Sequence, residues 1–248
     1  MGKVWQKCWN ALNYMYGMFQ TGSRKHLRSY RQCHSGRCFI IGNGPSLKES
    51  DLENLMKLEE TTFACNSLIK LFEAIPFTPT YYFAQDNKII LDNYKEIESY
   101  KGTRFIKAHY ASRYHIKGVT YYNMLFPQNP IGFSKKIDKV VYSGQTVTYS
   151  MIQFAAYMGF KEIYLIGVDC NYSPGNDVIT KDSYFNPQLF NSKRAYAAPE
   201  VDTNLLAYAR AKEVCDRMGI KIYNATRGGK LEIFERADLD TLLDNKKQ

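Results

Sequence analysis

No window of the sequence approaches the roughly 18 consecutive apolar residues that a membrane-spanning helix requires, so the chain is not expected to cross a bilayer. The N-terminus lacks the compact apolar core and small-residue cleavage site of a secretory signal, which makes a cytoplasmic location the expectation. Histidine is scarce: the four present (His26, His34, His109 and His115) show no triad or metal-ligand spacing. The six cysteines (Cys8, Cys33, Cys38, Cys65, Cys170 and Cys215) contain no CxxC pair and no zinc-ligand spacing, so neither disulfides nor a metal is assigned to them. There is no G-x-S-x-G nucleophile elbow. The one D-x-D triplet, Asp238-Leu239-Asp240, sits in a C-terminal helical pattern and reads as a solvated face, so metal-dependent sugar transfer lacks its usual ligand. Acidic residues are missing from positions 1–38, where Lys3, Lys7, Arg24, Lys25, Arg28, Arg31 and Arg37 supply most of the net charge of +9. The rest of the chain is close to neutral. That asymmetry describes an appended basic segment rather than a nucleic-acid-binding surface, and no nucleic-acid partner is expected.

What remains is ample for a folded domain: 248 residues, 45% hydrophobic and 15% aromatic, can build a substantial α/β core. Trp5, Cys8, Trp9, Leu12, Tyr16 and Phe19 recur at helical spacing on one face, and a basic tract from 24 to 31 follows. This pattern suits contact of residues 1–35 with an anionic membrane surface, at its cytoplasmic side. Packing on the same domain or on a second subunit is the alternative. The expected division is a basic amphipathic segment over 1–37 and one domain over 38–248.

From position 38 the sequence alternates strand and helix. Strand patterns occupy 38–41, 61–66, 80–86, 103–108, 119–125, 162–169 and 221–226, and helical patterns 46–60, 67–75, 88–100, 146–159 and 203–219. The expected fold is therefore α/β: a Rossmann-like, mostly parallel sheet with helices on both faces. Residues 171–200 break the rhythm with turn formers and scattered aromatic side chains, as a functional lid would.

Ligands in such sheets bind beyond the carboxyl ends of the strands. Four ends carry polar residues. Gly42-Asn43-Gly44-Pro45-Ser46 combines glycines, which permit positive φ and close backbone approach, with an amide and a hydroxyl. Leu47 stands where a dinucleotide fingerprint needs its third glycine, and no Walker Gly-Lys-Ser/Thr is present. Asn66-Ser67 and Gln85-Asp86 end two further strands, and Gly167-Val168-Asp169 ends the most apolar one, placing Asp169 to bond a ribose hydroxyl. Ahead of that strand, Ser143-Gly144-Gln145-Thr146 opens a helix whose unpaired amides would receive phosphate. No Lys or Arg lies within these two amide-rich turns.

The segments IIGNGPSLKE, FACN and SGQTVTYSMIQFAAYMGFKEIYLIGVD, with the aromatic lid, resemble the bacterial sialyltransferases of glycosyltransferase family 42. They also resemble the related domain of motility-associated flagellin glycosyltransferases and of MptE-like proteins, over roughly residues 38–226. The resemblance implies a GT-A-like fold and a CMP-activated acidic sugar as donor, bound without metal or other cofactor. It implies transfer to a glycan or lipid-linked acceptor in cell-surface glycan synthesis. Asn43, Ser46, Asn66, Ser143, Gly144, Gly167 and Asp169 match donor-pocket positions. Lid tyrosines of that family bond the departing phosphate, a role that falls to Tyr172, Tyr184 and Tyr196 here. The family's general-base histidine falls near Pro199, and this lid has no histidine; Glu200 and Asp202 are the nearest substitutes. An arginine expected before the Ser143-Gly144 turn is replaced by Val140 or a neighbour. The MptE-like resemblance implies a different reaction, 6-hydroxymethylpterin diphosphokinase activity with ATP and magnesium, for which Asp86 and Asp169 would be the ligands. A non-catalytic nucleotide-binding protein is the third reading, and the oligomeric state is left open.

Overall fold

The structure, a computed structural model, describes residues 8, 9, 11, 12, 15–108, 116–126, 130–171, 180–191 and 201–244. Among them, eight strands form one sheet in the order β10-β9-β8-β1-β2-β3-β4-β5, with every neighbouring pair parallel. These are β1 (Arg37–Ile41), β2 (Thr62–Cys65), β3 (Tyr81–Ala84), β4 (Thr103–Lys107), β5 (Thr120–Tyr122), β8 (Glu162–Ile166), β9 (Lys221–Asn224) and β10 (Glu235–Arg236). Two short strands, β6 (Met124–Leu125) and β7 (Val141–Tyr142), pair separately. The α/β Rossmann-like fold is as expected from the sequence.

The chain starts at the sheet's centre, winds outward through β5, then returns to lay β8 on the other side of β1. The order thus reverses between β1 and β8, whose register pairs Phe39 with Tyr164 and Ile41 with Ile166. Side chains of a strand alternate between faces. Cys38 and Ile40 enter one buried cluster while Phe39 and Ile41 enter another, so β1 reads as a continuous apolar run because both its faces are covered.

The first face is covered by helices α5 (Val147–Met158) and α6 (Val201–Arg217). All twelve residues of α5 are buried, which is why that segment is apolar all round; Gly159, at φ 104°, ends it in a left-handed cap. The second face is covered by α2 (Glu49–Lys57), a 3₁₀ turn at Asn66–Leu71, α3 (Asn87–Asp92), α4 (Tyr94–Ser99) and α7 (Leu239–Asp244). Helix α1 (Ser23–Ser29), inside the basic tract, docks on β5: Leu27 is fully buried and the Ser23 hydroxyl accepts from the Tyr121 amide at 2.8 Å. Arg24 and Arg28 pair with Asp138 from this helix. Among the described residues no helix is long and apolar enough to cross a membrane.

Three expected elements differ from what forms. The 119–125 pattern is split at Asn123, whose carbonyl accepts from Val141 and whose side-chain amide donates to Lys139 O at 3.3 Å, moving Met124 and Leu125 into the small sheet. The 88–100 helix breaks at the fully buried Asn93, whose side-chain amide donates to Ile89 O at 2.7 Å. The helix expected over 67–75 is a 3₁₀ turn from Asn66 to Leu71.

Candidate functional site

At the carboxyl ends of the strands lies a cleft of about 620 Å³. It gathers Gly42, Asn43, Gly44 and Pro45 from β1, Asn66 from β2, Gln85 and Asp86 from β3, and Gly167 and Asp169 from β8. Ser143, Gln145 and Thr146 reach it from the start of α5, and Tyr184 covers it from the segment at 180–191. Topology therefore assembles residues from six separate stretches at the reversal point of the sheet, the place such folds bind ligands.

The β1 and β8 turns are locked together. Gly42 N–H donates to Ile166 O at 2.8 Å and Gly44 N–H to Gly167 O at 3.0 Å. The Ser46 hydroxyl donates to Asp169 Oδ2 at 2.9 Å. A Cβ on Gly42 would overlap the Gly167 carbonyl, and one on Gly44 would overlap the Asp169 carboxylate. Neither glycine has positive φ. The expected reason for these glycines is thus corrected: what comes close to them is the neighbouring turn. Gly167, at φ 63°, does need the left-handed region. Asp169 is 7% exposed; burial pushes its carboxyl above the usual range, while bonds from the Ser46 hydroxyl and amide oppose the rise.

The helix-start turn is also occupied differently. Thr146 caps α5 by accepting from Thr148 N–H at 3.3 Å, Ser143 Oγ accepts from Gln145 N–H at 3.3 Å, and Ser143 O from Thr146 N–H at 3.0 Å. The amides expected to be unpaired are therefore partly taken. Gly144 is buried and does not line the cleft; a Cβ there would press on the Tyr149 ring and Ala207 Cβ, so α5–α6 packing requires this glycine, not approach to a ligand.

Three residues that line this cleft also carry side-chain oxygens without partners. The Oδ1 atoms of Asn43, Asn66 and Asn204 are buried with no hydrogen-bond partner among the described residues, and all three residues line the cleft. Orphaned buried acceptors are rare and costly, and three of those found among the described residues belong to side chains that line this one cleft. Gln85 Oε1 accepts from the Ser150 hydroxyl at 2.7 Å and the Tyr122 hydroxyl at 3.4 Å. Asp86 Oδ1 caps α3, accepting from Lys88 N–H at 2.7 Å and Ile89 N–H at 3.2 Å. Burial pushes the Tyr184 phenol upward.

Several expected residues are not brought to the cleft. Ser67 is buried in the 3₁₀ turn, and Ser46 acts on the cleft through Asp169. Asp202 is exposed on the first turn of α6 and does not line the cleft. Tyr172, Tyr196 and Glu200 lie outside the described residues. The D-x-D triplet is distant in role: Asp240 pairs with Arg227, and Asp238 accepts from Thr241 N–H at the start of α7. Sequence reasoning missed Asn204 and Tyr208, which line the cleft four residues apart on α6. A polar residue on that helix's otherwise apolar face was their signal. It also missed Lys107, the last residue of β4, 5% exposed and lining the cleft. Burial lowers its ammonium to about 8, with Asp86 opposing the shift. Its signal was a lysine at the end of the apolar run FI.

Residues 10–175 match the family described as 6-hydroxymethylpterin diphosphokinase MptE-like. No curated protein matches the sequence. Among solved structures, the MAf glycosyltransferase from Magnetospirillum magneticum AMB-1 aligns with a TM-score of 0.56 and 19% identity. That alignment covers 93% of this chain but 39% of the MAf chain, so the present chain spans about two fifths of its neighbour; the shared feature is the fold. The sialyltransferase CstII from Campylobacter jejuni, in complex with the substrate analogue CMP-3FNeuAc, aligns at 14% identity with a TM-score of 0.43, over 82% of this chain and 85% of its own. Its complex with cytidine-5'-monophosphate gives 16% identity and a TM-score of 0.42, over 80% and 83%. With more than half of its length inside the matched profile, the chain belongs to the family described as 6-hydroxymethylpterin diphosphokinase MptE-like.

Proposed function

We propose that the chain is a glycosyltransferase of cell-surface glycan synthesis that holds a nucleotide-activated sugar, a CMP-nonulosonate by the motif resemblance, in the cleft at the β1/β8 reversal. The observation that carries this reading is the set of Asn43, Asn66 and Asn204 side chains, which line one cleft of about 620 Å³ and whose Oδ1 atoms have no hydrogen-bond partner among the described residues. Neutral amide groups suit the hydrogen-bonding edges of a nucleoside and sugar hydroxyls. The fold shared with the MAf glycosyltransferase supports it.

In the reaction, the bond from the anomeric carbon to the donor phosphate oxygen breaks, and an acceptor hydroxyl oxygen bonds that carbon. The acceptor proton passes to a base, and Glu200 takes that role in this proposal. Tyr184, Tyr172 and Tyr196 hydrogen-bond the departing phosphate, Tyr184 from its place on the cleft. The acceptor is a glycan or lipid-linked hydroxyl. A membrane-side location is supported by Trp9, Leu12, Met15 and Phe19, which are 41%, 60%, 57% and 51% exposed, beside the Arg24 guanidinium 5.3 Å from the Phe19 ring centroid.

A second reading, diphosphate transfer from ATP, is favoured by the family description and by Asp86 and Asp169 lining one cleft. The two carboxylates could hold magnesium, which would offset charge on the transferred phosphates. The fit is partial: Asp86 Oδ1 already caps α3 and Asp169 Oδ2 already bonds Ser46, leaving one oxygen of each.

Thermal-shift titration of the full chain with CMP, CDP, UDP and ATP, each with and without magnesium, separates these readings. Stabilisation by CMP without metal is the expected result. Stabilisation by ATP with magnesium alone moves the assignment to the second reading, and no response to any nucleotide overturns both.

A further inference from the structure

Lys107 is out of place on stability grounds alone. It ends β4 at 5% exposure, and no salt bridge or hydrogen bond to its ammonium is found among the described residues. The Phe126 ring has its centroid 5.7 Å from Nζ, and the Asp86 carboxylate acts on the ammonium through its charge without bonding it. A buried, unpaired cation destabilises a fold, and such costs persist where a ligand needs them.

Its position says which part of a ligand it would meet. β4 lies three strands from β1, ~14 Å at the usual strand spacing. A group seated on the Gly42–Ser46 turn is therefore out of its reach. The start of α5, by contrast, is close by in the fold: Ser143 N–H donates to Leu125 O at 2.9 Å, one residue before Phe126. α5 is twelve residues long, and Ser143, Gln145, Thr146, Val147 and Thr148 bring its positive end to the same cleft.

Resting on the glycosyltransferase reading, we infer that Lys107 and the N-terminus of α5 form an anion subsite at the end of the cleft away from the β1 turn, where Lys107 neutralises an anionic group of the donor. The group is a phosphate or a sugar carboxylate; both present oxygens that an ammonium and a helix N-terminus bind. The subsite supplies a cation within a donor pocket whose two glycine-bearing turns contain none.

The test compares wild-type protein with Lys107→Met, which keeps the unbranched length without the charge. Affinities for cytidine, CMP and CMP-N-acetylneuraminate are measured by calorimetry on the full chain. If the anion is the phosphate, wild type binds CMP at least about tenfold more tightly than cytidine, and the variant loses that difference. If it is the carboxylate, the variant keeps the CMP preference but loses at least about tenfold of the further gain from the sugar. Equal affinities of variant and wild type for all three probes overturn the inference and leave the glycosyltransferase reading standing. Binding of no probe by wild type overturns both. A melting temperature for the variant at or above wild type shows that any loss is not misfolding, and Lys107→Arg, which keeps the charge, retains the anion preference.

Discussion

Single residues set the terms of this site. Lys107 has its ammonium lowered to about 8 from an ordinary value of 10.5, chiefly by burial, with Asp86 opposing. The other charged groups lining its cleft are Lys88, Asp169 and Asp182. Because the folded value lies below the unfolded one, the unfolded chain holds more protons between about pH 8 and 10.5. Stability gained from this residue is therefore complete above 10.5 and is lost as pH falls to 8. Urea denaturation should show stability rising from pH 8 to pH 10 in wild type by more than in Lys107→Met; equal slopes would refute the assignment of that rise to Lys107. Gly44 tests the lock between the strand turns. Gly44→Ala forces a methyl against the Asp169 carboxylate and Gly167 carbonyl, and should destabilise the chain by about 2 kcal/mol or more. Gly228→Ala, which meets open space but carries positive φ, should cost about 1 kcal/mol. A larger loss at Gly228 than at Gly44 would contradict the packing argument. The motif was legible as a strand-end turn. The neighbour that demands its glycines comes from a strand 123 positions later in the Ser46–Asp169 pair, which local pattern cannot reveal.

Elements carry the next level of information. Buried strands and amphipathic helices announced themselves by period, and β1, β8, α5 and α6 form where the apolar patterns place them. The small pairing of β6 with β7 did not, because a two-residue strand has no period to read. Nor did the anchoring of α7, which the D-x-D motif overlaps. Arg227 bonds Asp51 of α2 through Nη1 and Nη2 at 2.7 and 2.9 Å, and Asp240 of α7 at 2.5 Å. The Asp51 side chain is 3% exposed and Arg227 25%, placing this pair between the surface and fully buried cases. Arg227→Ala strands the Asp51 charge and should cost about 2 kcal/mol in chemical denaturation. A loss within 0.5 kcal/mol would show that solvent replaces the guanidinium. Triplets of Asp that look like ligand motifs can thus be ordinary ends of a helix and partners of an arginine.

At the scale of the whole molecule, charge and apolar surface are divided along the chain. The basic tract does not project as one arm: α1 within it is docked by Leu27 and Ser23, and two of its arginines face Asp138. The exposed apolar stripe precedes α1, so a deletion reaching residue 35 would remove core together with stripe. Surface substitutions separate the two. Trp9→Glu combined with Leu12→Glu and Met15→Glu should abolish sedimentation with liposomes containing anionic lipid while leaving the melting temperature within 2 °C, the shift of a sub-kcal/mol change. Unchanged sedimentation would overturn the membrane-side reading.

By itself the sequence determined the α/β class, the strand ends that carry polar residues and the concentration of basic charge before position 38, because apolar period, glycine punctuation and charge are local properties of the chain. Only the tertiary structure decided that β1 and β8 are neighbours, that their glycines exist for one another, and that Lys107 shares a cleft with Asn43, Asn66 and Asn204. Those facts depend on strand order, and strand order is set by the packing of distant segments, which no stretch of sequence contains on its own.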